Sequence, residues 1–136
     1  MWRLIWQERP AAIVMVTNLK EGNKKKCEQY WPDSGSKMFG PFKVTLTQQQ
    51  VMADYCTRTM QVTVSMTLSI KCEAIMYVLN TQLENSSERP LRVKQYHYTA
   101  WPDHGVPEYA TSMLSFHRRI MSKTKTGKRP IILHCR

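Results

Sequence analysis

Leu91-Arg92-Val93-Lys94-Gln95-Tyr96-His97-Tyr98-Thr99-Ala100-Trp101-Pro102-Asp103-His104-Gly105-Val106-Pro107 reads as a strand that runs straight into a loop. Residues 91–99 carry the aromatic and β-branched content of a sheet element, and Pro102 ends it. Pro102 and Pro107 restrict the backbone while Gly105 frees it, the make-up of a lid that closes as a unit, with Trp101 as its apolar hinge anchor. Farther along, the apolar run Pro130-Ile131-Ile132-Leu133 reads as a buried strand and ends in His134-Cys135-Arg136. A cysteine at a strand end is usually packing, and an aspartate between Pro and Gly is usually a turn former. Together they supply the two parts of a two-step phosphoryl transfer: a thiolate that attacks phosphorus and an acid that protonates the leaving oxygen.

Working outward, residues 1–8 read as the tail of a helix closed by Pro10, and Ile13 to Thr17 as a short buried central strand. A turn over 21–26 leads to an expected strand from Cys27 to Trp31, and Pro32 to Ser36 carries loop chemistry. Trp2, Trp6, Tyr30 and Trp31 read as core. Phe42, Val44 and Leu46 alternate with polar residues. Met60, Val62, Val64, Met66, Leu68 and Ile70 share one face of a longer alternation, which predicts a strand or ribbon with one buried side. Met113, Phe116, Ile120 and Met121 recur at helical spacing between Glu108 and Lys123, followed by a basic turn from Lys125 to Arg129.

The chain has 136 residues, with 20 Lys and Arg against 10 Asp and Glu and a formal net charge of +10. That balance suits an anionic ligand. Zinc-finger, RNP and patterned basic-helix motifs are absent, so nucleic acid is not the expected partner. Lys24 and Lys25 read as solvated turn charges. Cys27, Cys56, Cys72 and Cys135 lack C-x-x-C spacing and are too sparse for a disulfide framework, which predicts a reducing, cytoplasmic location. The first ten residues hold Arg3, Glu8, Arg9 and Pro10, which break any signal-peptide core, and Met66 to Leu79 contains Lys71 and Glu73, so no membrane span is expected. Asn85-Ser86-Ser87 forms a glycosylation sequon, unused in a cytosolic chain. The four histidines have no metal-ligand spacing with one another or with the cysteines, so neither metal nor cofactor is expected.

At Trp2-Arg3-Leu4-Ile5-Trp6, Ile13-Val14-Met15-Val16-Thr17-Asn18-Leu19, Lys26-Cys27-Glu28-Gln29-Tyr30-Trp31-Pro32, the 95–107 stretch and His134-Cys135, the sequence resembles the protein tyrosine phosphatases, most closely the cytoplasmic domains of receptor-type members. The resemblance implies an α/β fold, a twisted mixed β-sheet flanked by helices, with residues 1–136 forming a partial domain incomplete at both ends. It implies phosphotyrosine proteins or peptides as substrates, hydrolysed through a cysteinyl-phosphate on Cys135 with Asp103 as general acid and then base, no cofactor, and a parent that is a membrane receptor or a soluble enzyme. By resemblance, His104 beside the acid contacts the substrate ring, His134 supports the thiolate by hydrogen bonding, Glu21 pairs with a phosphate-loop arginine and Lys26 steadies the acid loop at 101–107. The family's phosphate loop runs His-Cys, five further residues, then Arg. Here Arg136 follows Cys135 directly, so it is not that arginine, and the chain by itself is expected to be inactive. Residues from about 64 to 85 read as an insertion relative to the family. The alternative reading is a non-catalytic phosphatase-like domain that binds phosphopeptides or proteins, and Arg136 is what favours it.

Overall fold

A computed structural model describes residues 1–64, 89–102, 105–106, 110–124 and 129–135. Its elements are α1 (Trp2–Glu8), β1 (Ala12–Met15), β2 (Lys20–Glu21), β3 (Lys24–Lys25), β4 (Ser36–Phe39), β5 (Phe42–Val51), β6 (Tyr55–Val64), β7 (Leu91–Tyr98), α2 (Thr111–Lys123) and β8 (Ile131–His134). Among the described residues the main sheet has six strands in the order β4-β5-β6-β7-β1-β8, and β2-β3 form a separate small hairpin. From β4 to β7 the strands run antiparallel, whereas β1 is parallel to both β7 and β8. β7 and β8 run the same way on either side of β1, so the chain must cross over between them, and α2 lies in that crossover. The α/β class and the mixed sheet are as the sequence implied.

Side chains along a strand alternate between faces, and two cores follow from that alternation. Ile13 and Met15 of β1 join Leu91 and Val93 of β7, Met60 and Val62 of β6, and Phe42 and Val44 of β5 under α1, which contributes Trp2, Ile5 and Trp6. Ala12 and Val14 join Tyr96 and Tyr98 on the opposite face, covered by Phe116 and Ile120 of α2. The i, i+3, i+4 spacing of Trp2, Ile5 and Trp6 makes α1 a one-faced helix. It ends at Arg9, in the left-handed region with φ 46°, whose N–H closes on the Ile5 carbonyl at 3.1 Å. A non-glycine residue there costs about 1 kcal/mol. The cost is offset because the Arg9 guanidinium lies over the Trp6 ring at 4.3 Å and the Arg9 carbonyl accepts from Arg129 Nε at 2.7 Å.

Several expectations change. Cys27 to Trp31 is not a strand: it joins neither sheet, and Tyr30 and Trp31 are held by ring contacts to Trp2, His134 and His97 instead. The strand that precedes β5 is β4, in residues the sequence reading passed over. Met60 and Val62 are fully buried as the alternation predicts, but Thr57 and Thr59 on the other face are covered too, so this part of β6 is buried on both sides and not on one. The continuation of that row, and the segment from 65 to 88, lie outside the described residues. On α2, Phe116 and Ile120 are core but Met121 is 44% exposed. β8 is a half-buried edge strand with Leu133 at 66% exposure, not a buried one, because only β1 flanks it.

Candidate active site

Three parallel strands deliver their C-terminal ends to one edge of the sheet. Met15 of β1 is in register with both His97 of β7 and His134 of β8, so the residues that follow, Tyr98 toward Trp101 and Cys135, leave the sheet at one level. Ligand sites in α/β sheets favour this carboxyl edge. The stem of the 101–107 loop is tied down on both sides. Asn18 Nδ2 donates to the Thr99 carbonyl at 3.3 Å, and the N–H groups of Thr99 and Ala100 both donate to the Asp54 carbonyl, at 2.9 and 3.1 Å. Trp101 emerges partly exposed and Gly105 takes φ 83°, a value that suits glycine alone. Asp103 and His104 lie outside the described residues, as does Arg136.

A ladder of buried and part-buried hydrogen bonds leads to His134, the residue before the cysteine. Arg58 Nη1 donates to Gln95 Oε1 at 3.1 Å, Gln95 Nε2 donates to the Tyr30 hydroxyl at 2.8 Å, and that hydroxyl lies 2.8 Å from His134 Nε2. Because the amide donates to the phenol oxygen, the phenol proton is directed at His134 Nε2. His134 is thereby the tautomer protonated on Nδ1, and its ring makes a further hydrogen bond with the Cys135 backbone. Burial holds His134 below the usual imidazole range, partly opposed by that backbone bond, so the ring is neutral at pH 7 and orients the main chain at the cysteine. Burial also pushes the Tyr30 phenol well above its usual value, so it stays a donor.

His97 is the second branch of the ladder. Its Nε2 donates to the Thr17 carbonyl at 2.8 Å and its Nδ1 accepts from Arg58 Nη1 at 3.3 Å, which fixes a neutral ring. Burial lowers its pKa, the Thr17 bond opposes this, and Arg58 and His134 add to the lowering. The Arg58 guanidinium lies 4.5 Å over Trp31, whose ring also meets Tyr30 and His97 edge-on.

Cys135 is exposed at the end of β8. Cys27 stands within electrostatic reach of it; burial first, then Glu28 and Cys135, push the Cys27 thiol up and keep it protonated. Lys26 Nζ pairs with Glu21 Oε2 at 2.7 Å across the β2-β3 hairpin, so these two half-buried residues meet each other. In sequence Tyr30 reads as packing alone. Tyr30 does pack, 5.9 Å from Trp2, but its hydroxyl is the link to His134. The sequence pattern does not single out Gln95 and Arg58; a buried Gln facing a half-buried Arg across adjacent strands is a signal that a pairing register, and not a linear pattern, reveals. Among the described residues, no group of three or more metal-ligating side chains occurs.

The protein-tyrosine phosphatase family model matches residues 1–136. The chain is 37% identical over 136 residues to putative receptor-type tyrosine-protein phosphatase mosPTP-1 of Aedes aegypti, covering 98% of this chain and 9% of that protein. It is 37% identical over 134 residues to receptor-type tyrosine-protein phosphatase S of Gallus gallus, with 98% of the chain and 8% of the relative covered. Against tyrosine-protein phosphatase 99A of Drosophila melanogaster it is 35% identical over 134 residues, covering 98% and 9%. The chain thus spans less than a tenth of the length of these relatives, and among the described residues no helix is long and apolar enough to cross a membrane. With a whole-length family match and a cysteine-terminated strand beside the stem of the Trp-Pro-Asp loop, this chain belongs to the protein-tyrosine phosphatase family.

Proposed function

We propose that these residues form part of a domain that hydrolyses phosphotyrosine in proteins or peptides, on the cytoplasmic side of a receptor-type parent. The observation that carries the reading is the common carboxyl edge at which Cys135 and the stem of the 101–107 loop emerge. In the first step the Cys135 thiolate forms the S–P bond as the P–O ester bond breaks, and Asp103 gives its proton to the departing tyrosine oxygen. In the second, the Asp103 carboxylate takes a proton from water, whose oxygen displaces sulfur and releases phosphate with the thiolate restored. His104 is assigned to the substrate ring and Trp101 to the hinge of the lid. The Glu21–Lys26 pair is assigned to steadying that lid and the phosphate-loop arginine.

A domain that carries the remaining phosphate-loop residues tests this. Cys135→Ser should abolish phosphate release and still capture phosphotyrosine peptide, because the anion is held by backbone N–H groups and arginine rather than by sulfur. Asp103→Ala should lower kcat by about 10² to 10⁴ with binding retained, since a general acid acts in the transition state. Phosphate trapped on a residue other than Cys135 after rapid quench, or an Asp103→Ala kcat within twofold of the parent, would refute the assignment. A second reading, a phosphopeptide-binding module without catalysis, draws on Arg136, a bulky cation where the family usually has a small residue. It predicts peptide capture with no turnover by the unmutated domain.

A further inference from the structure

The sheet face under α2 carries a group of cations that the chemistry above leaves unused. Alternation along β7 puts Arg92 and Lys94 on the same face as Tyr96 and Tyr98, beyond the part that Phe116 and Ile120 cover. Lys94 Nζ sits 5.4 Å from the Tyr96 ring, and Thr59 and Gln61 of β6 stand opposite Lys94 and Arg92. From α2, Arg119 and Lys123, one helical turn apart, face the same region. Arg119 Nε is buried with no hydrogen-bond partner. Burial and then the charges of Arg119, Lys123 and Arg92 all disfavour the Lys94 ammonium, which brings the four side chains into one electrostatic neighbourhood. Among the described residues, both ion pairs lie in or beside the β2-β3 hairpin and none reaches this cluster.

Four like charges, two of them half-buried, are mutually destabilising, and only an anion can compensate them together. A carboxylate brings one negative charge. A phosphate monoester brings about −1.5 to −2 at pH 7 with three acceptor oxygens, so two phosphates on a compact frame match four cations. Guanidinium forks suit those oxygens, and the unpaired Arg119 Nε gains most from a ligand because a buried unsatisfied donor costs about 1–3 kcal/mol. Lys94 lies about 13 Å along the strand from Tyr98, so the cluster is separate from the cysteine edge.

We propose that Arg92, Lys94, Arg119 and Lys123 form a binding site for a compact ligand carrying two or more phosphate groups, either a soluble inositol polyphosphate or the headgroup of a polyphosphoinositide lipid. The site is independent of the phosphatase reading.

Calorimetric titration of the 136-residue chain with inositol hexakisphosphate at near-physiological salt tests it. Saturable binding is expected, and the double variant Arg92→Gln/Lys123→Gln, at two exposed positions that the fold does not need, should weaken it by about tenfold or more. The charge-matched control Lys24→Gln/Lys37→Gln should stay within twofold. Co-sedimentation with phosphatidylcholine vesicles containing phosphatidylinositol bisphosphate, against phosphatidylserine vesicles of matched charge, separates the sources. Preferential binding to the former assigns a lipid headgroup, and soluble binding alone assigns a free polyphosphate. No binding in either format, equal loss in the control variant, or equal affinity for a hexaglutamate peptide would overturn the site.

Discussion

At the scale of single residues, the hydroxyl of Tyr30 matters more than its ring. It accepts from Gln95 and donates to His134, so Tyr30→Phe keeps the packing and cuts the ladder at its middle. Leaving the buried Gln95 amide short of a partner should cost about 1–3 kcal/mol. In a domain with its phosphate loop complete, the altered His134 should also shift the pH profile of Cys135 alkylation by iodoacetamide. Unchanged stability together with an unchanged alkylation profile would show that the phenol only fills space. Sequence patterning reads burial, and Tyr30 is buried as expected. It does not read the direction of a hydroxyl, which depends on strands far away in the chain. His134 was legible because its neighbour in sequence is the cysteine itself, whereas Gln95 and Arg58 become partners only through the pairing of β6 with β7.

At the scale of elements, alternation located β5 and β6 and helical spacing located α2, because apolar residues at regular intervals meet a core, while aromatic and β-branched content marked β7, which feeds both cores. These patterns failed at residues 27–31, where successive aromatic side chains are buried without regular pairing, and at the edges, where β4 is almost wholly exposed and β8 only half covered. The phase of α2 is a clear test. Ile120 is 6% exposed against Tyr96 and Tyr98, while its neighbour Met121 is 44% exposed. Ile120→Ala should destabilise by about 2–5 kcal/mol in urea unfolding, and Met121→Ala should stay within about 0.5 kcal/mol. Equal losses at both positions would place the helix in a different phase.

For the molecule as a whole, the buried imidazoles couple folding to pH. His97 titrates below its ordinary value when folded, so between that value and the unfolded pKa, near ~6.5, the unfolded chain binds more protons. The stability from a neutral His97 is therefore complete above about pH 6.5 and is lost as pH falls below it, by up to about 1.4 kcal/mol per pH unit. Thermal melts at falling pH should show this decline, and His97→Gln should flatten part of it; an equally steep decline in the variant would acquit His97. The family and its mixed architecture were legible because motifs at 95–107 and 134–135 preserve their order. The common edge they share was not, since it depends on β1 lying between β7 and β8, an order that no local pattern records.

That placement of β1 also governs how the chain is made. β1 emerges among the first residues of this segment, yet one of its two neighbours, β8, follows only at Ile131, after β2 to β7 and α2. Until Ile131 to His134 have left the ribosome, Ala12 to Met15 is an apolar sheet edge with open hydrogen-bonding groups, the kind of edge that captures foreign strands. Arg129, which reaches back to the carbonyls of Arg9 and Pro10 at 2.7 and 2.9 Å, clamps the start of β8 beside β1. Cys135 is thus delivered by the same late event that covers this edge of β1, and a nascent chain stalled before residue 129 would have neither.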